Sequence, residues 1–174
     1  MQIIIGLLAI IGGGAYWWWR LKMMSDAASD INSAVGKVVG TYKRKKFLKK
    51  VGESPLASIT DPAAAAVVMM FAIAKEESPL TDSTEHIIQD EVTHTMKIAD
   101  STELMVFSKW VVSHVTDANN VSLRCGKLWM NALDVAERED FVAMVERVAE
   151  KCGGLTLVQS NKIKKLRERL GFQT

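Results

Sequence analysis

His86, Asp90 and His94 recur at four-residue intervals in this 174-residue chain. On a helix that spacing sets all three along one side, where two imidazoles and a carboxylate can ligate zinc or another divalent ion. A second acidic group, Glu76, Glu77 and Asp82, brackets the break at Ser78-Pro79 and can gather a cation through oxygen ligands. Each group also has a plainer reading. At 100° per residue, positions 86, 90 and 94 lie opposite the arc of Ile87, Ile88, Val92 and Met96, as a solvated face would. The acidic loop residues equally suit solvation and helix capping. Glu91 is the carboxylate out of place, because it falls on the apolar arc. It reads first as a boundary residue paired with a cation, and second as a ligand or partner contact.

His114 shares a side with Phe107, Trp110 and Val111 and reads as a core-edge histidine. The chain contains no GxSxG, no GxxxxGK[ST], no HExxH and no Gly-rich dinucleotide turn. No catalytic residue is expected, and an enzyme with an unrecognised site is the last of three functional readings. Cys125 and Cys152 match no metal or redox spacing and are expected as two reduced thiols.

The elements that must position these groups are helices. Asp61-Pro62 caps and opens a run, AAAAVVMMFAIA, that is apolar on every side and predicts a central helix surrounded by others. Asp82 with Glu85, and Asp100 with Glu103, have capping spacing. They predict a second helix reaching Ala99 and a third (Leu104, Phe107, Trp110, Val111, Val115) ending near Asn119-Asn120. A fourth helix is expected from Ser122 to Leu133 with Leu123, Leu128, Trp129 and Ala132 inward. Asp134 and Glu137 open a fifth, carrying Phe141, Val145, Val148 and Cys152, which Gly153-Gly154 stops. The last helix, about Gln159 to Leu170, sets Ile163, Leu166 and Leu170 on one face. Its cations (Lys162, Lys164, Lys165, Arg167, Arg169) line the other and read as an amphipathic surface. Nucleic acid is not expected, since residues 61–174 hold thirteen Lys/Arg against seventeen Asp/Glu. No stretch alternates like a strand, so the fold class is all-α.

The opening of the chain differs from all of this. Ile3 to Trp19 carries no charge, and at about 1.5 Å per residue it nearly spans a bilayer core of ~30 Å. Trp17, Trp18 and Trp19 suit the headgroup zone, with Arg20 and Lys22 among the phosphates. Lys43, Arg44, Lys45, Lys46, Lys49 and Lys50, in TYKRKKFLKK, can lie on anionic lipid or simply be solvated. Residues 1–60 hold nine Lys/Arg against three Asp/Glu, and this excess follows the apolar run. The amino terminus is therefore expected outside and the remainder cytoplasmic. Only Met1 and Gln2 precede the run, which argues against a removed signal. The organisation expected is an anchor and interface over 1–24, a basic tether over 25–54 and a helical domain over 55–174. Ala9 and Gly13 have the small-xxx-small spacing of self-associating anchors.

Two stretches, AAAAVVMMFAIAKEESPLTDSTEHII and VERVAEKCGGLTLVQSNKIKKLRERLGF, give this domain an outline that resembles the TerB-like (tellurite-resistance) helical domain. In that family both halves carry an apolar helix, an Asp-Gly loop, an aliphatic residue, a cap and a closing helix. Here Glu76-Glu77 stand in place of Asp-Gly, Leu80 fits the aliphatic position, and Thr81 or Asp82 fits the cap. Gly153-Gly154 carries no acid, although acids in both loops are what the family uses to hold metal. Leu157 and Gln159 to Leu170 follow the second outline. The resemblance implies a compact bundle of about six helices.

An anchor followed by such a bundle is also similar to the front of membrane-anchored DnaJ-like co-chaperones. No His-Pro-Asp occurs, so stimulation of a partner chaperone is not expected. The functional expectation is a single-pass protein of a bacterial inner membrane whose bundle binds other proteins in an envelope or chemical-stress response. A divalent-cation sensor using the acidic loop or the His86 stripe is the alternative; no other cofactor is expected.

Overall fold

Helix starts in this chain are written by short polar residues that take the otherwise unpartnered first N–H groups. Asp61 does so for Ala63 and Ala64, each at 3.2 Å, and Pro62 occupies the position where a missing N–H costs nothing. The computed structural model describes residues 55–173, which contain six α-helices and no strand. Pro55–Ser58 form one 3-10 turn, and the chain divides after Ser58, so that the bundle belongs to Ile59–Thr174. The expected anchor, its interface residues Trp17 to Lys50 and the tether lie outside the described residues. Among the described residues no helix is long and apolar enough to cross a membrane.

Helix α1 (Pro62–Lys75) is the centre. Every residue from Pro62 to Ala74 is buried, as a run apolar on all sides requires. It packs against α2 (Asp82–Asp90), α3 (Thr102–Ser113), α4 (Ala118–Ala132) and α5 (Val135–Lys151), while α6 (Leu157–Arg169) closes over α4 and α5. Four consecutive alanines at its start keep α1 thin, and Val67 to Phe71 supply the volume. Each large side chain fully removed from water here stabilises the fold by about 1.5–3 kcal/mol.

The structure corrects several boundaries. Helix α2 is capped by Thr81, which exchanges bonds with Thr84, rather than by Asp82 with Glu85. It does not run to Ala99. After Asp90 the chain makes one π turn, Glu91–Thr95, in which the Met96 N–H reaches the Glu91 carbonyl at 3.0 Å. Lys97 then turns left-handed (φ 59°), and the helix is closed by Ile98 N–H on the Val92 carbonyl. Helix α3 starts after Ser101, whose hydroxyl is held by Gln89 instead of capping. It stops at Ser113, where Lys75 Nζ donates to the carbonyls of Val112 and Val115.

Asp117 then starts α4 four residues earlier than expected, by accepting from Asn119 N–H at 2.5 Å. Its inward face carries Ala118, Val121, Ser122, Cys125, Gly126 and Trp129, and Leu123, about 120° from Trp129 on the wheel, is 69% exposed. The Asp134–Glu137 capping box of α5 is present as expected. Gly153 (φ 126°) and Gly154 (φ 96°) end α5 in a conformation that a side chain disfavours. Thr156 with Gln159 opens α6 two residues ahead of its expected start.

Candidate functional site

The two loops singled out by the resemblance, after α1 and after α5, meet at one end of the bundle. Thr156 Oγ1 donates to Glu77 Oε1 at 2.9 Å, and Gln159 Nε2 donates to the Ile73 carbonyl at 3.1 Å. Glu76 turns elsewhere. Its Oε1 accepts the Ala118 N–H at 2.6 Å, capping α4 from outside, and its Oε2 lies 3.7 Å from Lys162 Nζ. Lys162 also donates to Asp117 Oδ2 at 2.6 Å. The ammonium beside Asp117 is the main reason that its carboxyl sits below the usual range, with burial opposing and the Asn119 N–H helping.

A lysine thus occupies the space between the two carboxylates, and α1, α4 and α6 are tied by one charged cluster. Asp82, in the first turn of α2, is exposed, so the three acids of the first loop do not converge on one point. Replacing Lys162 by Met is expected to cost about 1–3 kcal/mol, since Glu76 is left largely buried without its cation. Chemical denaturation measures this, and a loss under about 0.5 kcal/mol, the scale of an ordinary surface change, would overturn the assignment.

Beside this cluster the surface becomes apolar. Leu155 (43%), Leu157 (84%) and Val158 (46%) are all exposed within four residues, at the connection into α6 and along its first turn. Leu157 lies inside α6 and not ahead of it. The pattern Thr156-x-x-Gln159 was the signal that it begins there, since a hydroxyl followed three residues later by Gln is a capping box. With the helix starting at Leu157, the wheel puts that side chain opposite Ile163, Leu166 and Leu170, which are buried.

Glu91, in the π turn that follows α2, is the second polar feature turned inward. It is 4% exposed, and four donors converge on it. Arg147 gives Nη2 at 2.8 Å and Nε at 3.2 and 3.3 Å, Lys151 gives Nζ at 3.1 Å, and Thr95 gives its hydroxyl at 2.8 Å. Burial opposes the charge, but these donors outweigh it and hold the carboxyl below its usual range. This is the cation-paired boundary reading of Glu91, with its partners on α5. The π turn and the pairing coincide: the widened turn carries Glu91 toward α5 while Ile88, Val92 and Met96 stay in the core.

His86, Asp90 and His94 remain on the exposed face, and His94 Nδ1 lies 3.1 Å from the Asp90 carbonyl. Among the described residues no group of three or more His, Cys, Asp or Glu side chains is placed to hold a metal ion. His114 differs from its expected place at the core edge. It is exposed at the end of α3, on the side of the half-buried Phe107 and Trp110 and away from the inward Met105, Ser108 and Val112, its ring centroid 5.1 Å from that of Trp110 and its Nδ1 2.9 Å from the Trp110 carbonyl.

The thiols are both free. Burial pushes Cys125 up to about 11 and raises Cys152 as well, against a hydrogen bond from Thr84. Neither environment favours a thiolate nucleophile. No protein-family model, curated protein or solved structure matches this chain.

Proposed function

We propose that this chain is a membrane-anchored protein-interaction module, a TerB-like helical bundle held at the cytoplasmic face of a bacterial inner membrane by Ile3 to Trp19. The observation that carries the reading is the aliphatic tip of Leu155, Leu157 and Val158. Val106, Leu123, Met130 and Val135 are exposed too, spread along α3, α4 and the start of α5, whereas Leu155, Leu157 and Val158 fall within four residues; the core from Val67 to Phe71 is wholly out of water. Isolated exposed aliphatics are ordinary, but several in one short stretch beside a polar cluster have the make-up of a contact surface with a rim. Burying Leu157 in a partner would contribute about 1.5–3 kcal/mol, with Leu155 and Val158 excluding water around it. The uncharged run followed by Arg20 and Lys22 supports the anchor, and confinement to a membrane raises the effective concentration of partners held there. The stress-response setting rests on the TerB-like outline alone.

The test uses the full-length protein in its native membranes, with a photo-crosslinking residue at position 157 or 158 and a control at Lys127, an exposed site on α4. Discrete adducts are expected from 157 and 158 and not from 127, and the protein is expected to stay with the membrane after alkaline wash. Leu157→Ser, in the background carrying the crosslinker at 158, should remove those adducts while leaving stability within about 0.5 kcal/mol, because the side chain touches little. Equal labelling from all three positions, or none, would end the interaction reading, and release by alkaline wash would end the anchor.

A further inference from the structure

We draw no further inference here: the strongest candidate, the exposed aliphatic tip of Leu155, Leu157 and Val158 at the start of α6, belongs to the surface already described, and nothing in the structure shows which partner covers it.

Discussion

Replacing Trp129 by alanine is expected to destabilise the bundle by about 3–5 kcal/mol, the range for removing a large aromatic from a packed core. The indole is wholly buried on α4 and faces two elements at once. Its Nε1 donates to the Pro62 carbonyl at 3.1 Å, across sixty-seven residues of sequence, and its ring lies 4.7 Å from that of Phe141 at 47°. Truncation therefore opens a cavity between α1, α4 and α5 and removes the hydrogen bond that fixes the start of α1 against α4. A domain of this size has about 5–15 kcal/mol in all, so the loss would lower the melting temperature by well over ten degrees.

Trp129→Phe separates the two contributions. It keeps most of the ring and gives up the hydrogen bond, so about 1–2 kcal/mol should be lost. Circular dichroism is the proper probe, since the substitution removes one of the five tryptophans that report by fluorescence. A loss below 1 kcal/mol in the alanine variant would mean that Trp129 is not packed as described.

The second large effect belongs to Glu91. Its folded carboxyl is held below its ordinary value of 4.5, so its contribution to stability is fully present above that value. The contribution is lost as pH falls through the lower, folded value, when the proton displaces Arg147 and Lys151. Glu91→Gln cannot take up that proton, and its stability should change less than wild type between about pH 5 and pH 3.

Arg147→Met flattens the curve as well. Burial is then offset only by Lys151 and Thr95, the folded carboxyl rises toward its ordinary value, and less stability is left to lose as pH falls. At neutral pH the Arg147 variant should lose about 1–3 kcal/mol. That is less than for a fully enclosed ion pair, because the side chains of Arg147 and Lys151 are 40% and 51% exposed and keep part of their hydration. Denaturant midpoints measured across this pH range for the three proteins decide the matter. Parallel curves for wild type and Glu91→Gln would remove Glu91 from the account.

The physical cause of these effects separates what was legible from what was not. The helical class, the central place of α1 and the capping of α5 could be read in advance, because period and caps are local properties of ten or fifteen residues. Helix ends were read less well. An unbroken α period would carry α2 to Ala99, whereas the Glu91 carbonyl accepts from the Met96 N–H in a π turn and Lys97 leaves the helix. Locally the sequence of α3 can continue past Ser113. What stops it is Lys75, which reaches over from α1 to the Val112 and Val115 carbonyls. Leu123 faces outward because it stands about 120° from the buried Trp129 on the wheel, wherever α4 begins.

By itself the sequence determined a helical chain with one wholly apolar helix at its centre, an uncharged opening run, and a carboxylate at position 91 that did not belong on its arc. Only the tertiary structure decided that Glu91 meets Arg147 and Lys151, that Glu76 caps α4 and faces Lys162, and that Leu157 is left in water. Those pairings join residues tens of positions apart. A charge placed near the end of one helix does not say which neighbour will stand against it, and that is settled when α1 gathers the other helices around itself and fixes their rotation.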